Sequence, residues 1–203
     1  MRPGSRRQAR WLAHPDGVHA PAAMRDWLTT PGSLTARLIA HSRHFRVQKL
    51  RQAGNVCLAD EAGAIGLARP QRVWEREVLL RCDGRPVVYG HTVVPMSASA
   101  SDWPRLSALG ERSLGTTLFY DPRVTRGELD FARLRPGHPL LARVRDALGH
   151  DGPARETSVG PTDMTFFARR CVYRRRQGLL LVTEVFLPSV LDLVATATNM
   201  NTK

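Results

Sequence analysis

Two runs joined by a dipeptide constrain this chain more than any other stretch: RVWEREVLLRC (72–82), then Asp83-Gly84, then PVVYGHTVVP (86–95). Both runs are rich in β-branched and apolar residues, and Asp-Gly supplies the two positive-φ positions that a tight hairpin turn requires. The plan recurs near the end, where residues 167–176, a turn at Gln177-Gly178 and LLLVTEVFLP form a second hairpin pattern. RHFRVQKLR (43–51) adds a further strand. Helical spacing is found at Met24, Trp27 and Leu28, and at Leu34, Leu38 and Ile39 behind a capping Ser33. It returns at PLLARVRDALG (139–149), which Gly149 is placed to stop. Residues 101–119 read as helical in parts, broken by Gly110 and Gly115, and 121–165 otherwise reads as a Pro/Gly-rich connection. Strands paired as hairpins, without regular βαβ alternation, predict an α+β fold: an antiparallel sheet of about six strands with helices packed on one face.

At 203 residues the chain fits a single domain, placed at 21–190, with residues 1–20 as a loose basic arm and 191–203 as a flexible tail. The net charge of +12 raises nucleic acid as a partner, but Lys49 and Lys203 are the only lysines and the arginines are dispersed. That is the composition of a GC-rich coding sequence. No nucleic acid partner is expected, and a small anionic substrate fits the charge equally well. Cys57, Cys82 and Cys171 are far apart, which implies reduced thiols and neither a disulfide framework nor a zinc site. With no apolar run approaching a membrane span and no secretory h-region, the expectation is a cytoplasmic protein. With no apolar stripe outside the core, it is expected to be a monomer.

Alternation along a strand puts Leu180, Val182, Glu184 and Phe186 on one face, so Glu184 is a carboxylate among apolar neighbours. On the first hairpin Trp74, Arg76, Val78, Leu80 and Cys82 share a face that is apolar except for Arg76. The opposite face, with Val73, Glu75, Glu77, Leu79 and Arg81, carries the charges expected of a solvated side. Each hairpin thus sends one charge inward, of opposite sign. Arg76 and Glu184 could form a buried structural salt bridge, a poor source of stability because desolvation offsets the attraction. They could instead line a pocket, where the guanidinium forks onto a substrate carboxylate and the glutamate transfers a proton. His91 and Thr92 lie near a strand end, at the pocket rim or at a turn, and His91 reads best as a surface residue. Arg169 and Arg170 begin the last hairpin; one must face inward by alternation, although strand-end arginines usually reach solvent. No histidine pairs with cysteine or carboxylate at a metal-ligand spacing.

Four stretches together, GSLTARL (32–38), WEREVLLRCDGRPVVYGHTVVP (74–95), LGERSLGTTLF (109–119) and ARRCVYRRRQGLLLVTEVFLP (168–188), resemble the chorismate pyruvate-lyase family. The resemblance runs in order across most of residues 24–188. It implies an antiparallel sheet with helices on one side, an internal ligand cavity, and neither metal nor organic cofactor. It further implies conversion of chorismate to 4-hydroxybenzoate and pyruvate at the entry to ubiquinone synthesis. Carried over by motif, Arg76 resembles the residue that holds the ring carboxylate. Glu184 resembles the acid/base that contacts the ring hydroxyl, and Leu34 and Leu114 resemble backbone and apolar ligand contacts. Two features depart from the family pattern: a longer 121–165 segment and an arginine-rich start. A non-catalytic effector-binding domain of the same fold is the alternative; the stretch ahead of Met24 is too short for a helix-turn-helix, which favours the enzyme.

Overall fold

The computed structural model describes residues 8–115, 118, 121–149 and 165–193. Six strands make one sheet: β1 (Phe45–Val56), β2 (Arg72–Cys82), β3 (Arg85–Pro95), β4 (Val124–Leu134), β5 (Phe166–Arg175) and β6 (Gly178–Phe186). Their order is β1-β2-β3-β6-β5-β4, with every neighbour antiparallel. The β2–β3 turn has Asp83 at φ 50° and Gly84 at φ 80°, as the Asp-Gly signal requires. The second turn falls at Arg176-Gln177, one residue earlier than expected, because Arg175 pairs with Gly178. β4 is the strand that periodicity does not reveal. It is an edge strand whose register shifts between Arg126 and Leu129, so its alternation is broken where a reader would look for it.

The register sorts the apolar residues onto two faces. Val78, Leu80, Val88 and Phe186 lie on one and pack with Met24, Trp27 and Leu28 of α1 (Ala22–Leu28) and Leu34 and Leu38 of α2 (Leu34–Ala40). Ser33 caps α2, its Oγ accepting from Ala36 N at 3.2 Å. The far half of this face is covered by α3 (Met96–Ser99) and by the turns after it, through Ala98, Trp103, Leu106 and Leu109. Those turns replace the helical segments expected over 101–113, whereas Leu114, Gly115 and Leu118 are helical as expected.

Leu79, Tyr89, Ala168 and Val185 lie on the other face and cluster with Leu140, Leu141, Val144 and Ala147 of α4 (Pro139–Gly149). The α+β class and the six antiparallel strands are as the sequence implies. The helices, however, cover both faces instead of one, because the hairpins present apolar residues on both sides and each side needs a partner layer.

Residues 8–20, expected as a loose arm, are tied to the sheet. Leu12 pairs with Phe131 of edge strand β4 through bonds of 2.9 and 2.8 Å, Trp11 Nε1 donates to Asp60 at 3.0 Å, and Val18 and Ala20 are buried. This capping blunts an exposed sheet edge. At the other end Leu191 ends a 3-10 turn and Leu193 is buried, so 191–193 of the expected tail is ordered on the domain; 194–203 lies outside the described residues, as does 150–164.

Candidate active site

Between the two helical covers on the α1–α2 face lies a cavity of about 60 Å³. Its floor is the middle of the sheet: Arg76 and Val78 of β2, Gly90 and Thr92 of β3, Val182 and Glu184 of β6, and Arg169 and Tyr173 of β5. Gly90 makes the room, since a Cβ there would lie 2.9 Å from Val78 Cγ2. The roof comes from residues 32–35 and 113–115, which include Leu34 and Leu114. The two roof segments are latched by Thr35 Oγ1 and Ser113 Oγ, 2.9 Å apart. Thus Arg76, Glu184, Leu34 and Leu114, drawn from four separate stretches, meet around one space.

Arg76 is only 2% exposed. Its Nη2 donates to the carbonyls of Gly110 and Arg112 at 3.1 and 3.0 Å, and its Nε has no partner. No carboxylate among the described residues pairs with it. Desolvation without a counter-charge pulls its pKa down to about 10. A buried guanidinium left in this state favours any anion that reaches it.

Glu184 is not the partner of Arg76. Its Oε2 accepts from Arg169 Nε at 2.5 Å, and the residue lines the cavity. Arg169 is 2% exposed, and its Nη1 donates to the carbonyls of Leu28 and Thr30 at 3.1 and 3.2 Å. The structural salt bridge between Arg76 and Glu184 therefore does not form, and the residue that does pair with Glu184 escaped the sequence reading. The signal was present. Arg169 sits directly across from Glu184 in the β5–β6 register, and a mid-sheet partner overrides the usual tendency of strand-end arginines to reach solvent. Arg170 points the other way, donating to Asp130 at 3.0 Å and to Asp60 O at 2.9 Å.

The opposite face of β2 is not the solvated side that its charges imply. Glu75 is 0% and Glu77 8% exposed, so this side is buried, not solvated. His91, read as a surface residue, is fully buried among them. Its Nε2 lies 2.9 Å from Glu61 Oε1, and its Nδ1 lies 3.6 Å from Glu77 Oε1. Arg143, reaching in from α4, donates to Glu75 at 2.7 Å and to Glu77 at 2.6 Å. Burial alone would lower the imidazole pKa; the surrounding Glu61, Glu77 and Glu75 outweigh it and raise His91 to about 9. Burial pushes Glu77 upward, but His91 and Arg143 more than offset it and bring it to about 2.

Sequence spacing missed this cluster because Val87 is an extra residue in the hairpin. Leu80 pairs with Val88 but Arg81 with Pro86, and the slip of one places His91 opposite Glu77. Glu75, Glu77 and His91 are also the one grouping of metal-ligand type among the described residues. Arg143 and a protonated His91 already neutralise it, so a cation would have to displace both.

An adjoining cleft of about 780 Å³ shares Leu114 and Leu118 with the cavity. The cavity is partly open and has room for about two waters. A ring-sized ligand enters only if the roof parts, and movement of these two leucines would join cavity to cleft.

The arrangement is a small cavity with an anion-seeking guanidinium on one side and a carboxylate on the other. Comparison with known proteins shows the family of the chain. The chorismate lyase family profile matches residues 6–195. The chain is 47% identical over 192 residues to the probable chorismate pyruvate-lyase of Cupriavidus metallidurans, covering 93% of this chain and 84% of that protein. It is 42% identical over 184 residues to the probable chorismate pyruvate-lyase of Methylobacillus flagellatus, covering 91% and 96%. Among solved structures, PhnF from Mycobacterium smegmatis matches with a TM-score of 0.50 at 19% identity, covering 79% of this chain and 66% of that one, a likeness of fold alone. By family profile and by identity over most of its length, the chain belongs to the chorismate lyase family.

Proposed function

We propose that this chain is a chorismate pyruvate-lyase, converting chorismate to 4-hydroxybenzoate and pyruvate for ubiquinone biosynthesis. The observation that carries the reading is Arg76: a buried guanidinium without a carboxylate partner among the described residues, lining the same cavity as Glu184. Chorismate brings the missing carboxylate. With the ring carboxylate on Arg76, the ring crosses the cavity between Leu34 and Leu114 above and Gly90 below. The para hydroxyl then comes to Glu184.

In the reaction the ether C–O bond at ring C3 breaks and the electron pair leaves with the enolpyruvate oxygen. The proton on C4 is lost and the ring becomes aromatic. The enolpyruvate takes up a proton at its methylene carbon and becomes pyruvate. Aromatisation supplies the driving force, so the protein's task is to hold a dianion in a reactive geometry and move protons. The Glu184 carboxylate serves as the proton acceptor next to C4. No step of this account calls on a metal or organic cofactor. In this reading the protein acts as a cytoplasmic monomer with its three buried cysteines reduced.

The test is direct. Purified protein incubated with chorismate should yield 4-hydroxybenzoate by absorbance and an equal amount of pyruvate by a coupled dehydrogenase. Binding of 4-hydroxybenzoate without turnover of chorismate would contradict the enzyme and support a ligand-binding module.

A further inference from the structure

We propose that Arg169 is the second anion-binding residue of the site, receiving the carboxylate of the enolpyruvyl group while it positions Glu184; this rests on chorismate being the substrate. Arg169 is 2% exposed and lies on the cavity wall, across from Glu184 in the β5–β6 register. Nε is committed to Glu184 Oε2, and Nη1 to the carbonyls of Leu28 and Thr30. Those bonds fix the plane of the guanidinium and leave Nη2 without a partner among the described residues. Nη2 lies on the same edge of the group as Nε, the edge with which arginine grips carboxylates in pairs of bonds. Half of that edge holds Glu184 and the other half is open.

The substrate's own geometry places its second carboxylate there. The ring carboxylate and the C4 hydroxyl are para, so Arg76 and Glu184 take the two ends of the ring. The enolpyruvyl ether is on C3, next to C4, so the three-carbon group hangs beside Glu184, and turning the ring about its C1–C4 axis brings it to the side where Arg169 stands. When the C3–O bond breaks, negative charge grows on the enolpyruvate oxygen near the same guanidinium. Arg169 thus holds the leaving group and the proton acceptor in one rigid frame, anchored to the end of α1.

The prediction separates two ligands. Chorismate has the second carboxylate and 4-hydroxybenzoate lacks it. Replacing Arg169 with lysine keeps a cation beside Glu184 but removes the fork, and should raise KM for chorismate about tenfold or more. The Kd for 4-hydroxybenzoate, measured by calorimetry on the same preparation, should stay within about threefold. Arg169→Gln should widen the gap, with Arg169→Lys available should the glutamine variant fail to fold. Equal weakening of both ligands in Arg169→Lys would show a purely structural role and overturn the proposal, as would an unchanged KM. A wild-type protein that does not turn over chorismate would instead defeat the functional reading itself.

Discussion

Arg76 and Glu184 face one cavity from β2 and β6, with Gly90 and Thr92 of β3 between them, and neither neutralises the other. A sheet that brings opposite charges to one cavity without pairing them with each other has kept both available for a third molecule. Removing the Arg76 guanidinium should therefore affect every ligand that carries the ring carboxylate. In Arg76→Met, KM for chorismate and Kd for 4-hydroxybenzoate should rise together by about ten- to hundredfold, the worth of hydrogen bonds to a charged group. Folding should be retained, since the variant relieves a desolvated charge.

Glu184 acts on the chemistry more than on binding. Glu184→Gln keeps the shape and an oxygen for the ring hydroxyl but removes the proton acceptor, and kcat should fall by about a hundredfold or more. Steady-state kinetics checks this, and wild-type kcat in the glutamine variant would remove the proton-transfer role.

Much of this site could be read from alternation. The placement of Arg76 with Val78 and Leu80, and of Glu184 with Val182 and Phe186, follows from a period of two and holds in the structure. What alternation could not supply was register. The extra Val87 decides that His91 meets Glu77, and no count of residues along one strand reveals a bulge in its neighbour. Arg169 was legible in principle, because it lies opposite Glu184, but choosing it over Arg170 required knowing where the turn closes. β4 stayed hidden because its register shift, edge position and solvent-facing charges remove the alternating pattern.

The buried cluster behind the site makes stability depend on pH. His91 is raised to about 9 in the folded chain, so its contribution is full below the ordinary imidazole pKa and fades as pH rises from about 6.5 to about 9. The amount at stake is on the order of 3 kcal/mol. Urea unfolding between pH 6 and 10 should show this decline. His91→Gln should be less stable at pH 6.5 and should lose most of the slope.

Arg143 is the link between α4 and this cluster. Arg143→Met leaves Glu75 and Glu77 buried with less compensation and should cost about 3–5 kcal/mol. Because Arg143 sits on the face away from the cavity, KM for chorismate in the folded fraction should remain near wild type. A large rise in KM would mean that the two faces are coupled.

The latch between Thr35 and Ser113 offers control over entry. Their hydroxyls are 2.9 Å apart, so cysteines at these positions place two sulfurs side by side. The double variant Thr35→Cys, Ser113→Cys should be active when reduced and inactive when oxidised, with activity restored by dithiothreitol. Full activity in the oxidised form would show that substrate does not enter by parting these segments.

A cavity holding Arg76, Arg169 and Glu184 should eliminate pyruvate from chorismate. One progress curve decides it: purified protein with chorismate, recording 4-hydroxybenzoate and pyruvate together. Both products should form in equal amounts, at a rate that falls about a hundredfold or more in Glu184→Gln. Folded protein that binds 4-hydroxybenzoate yet leaves chorismate intact would contradict it.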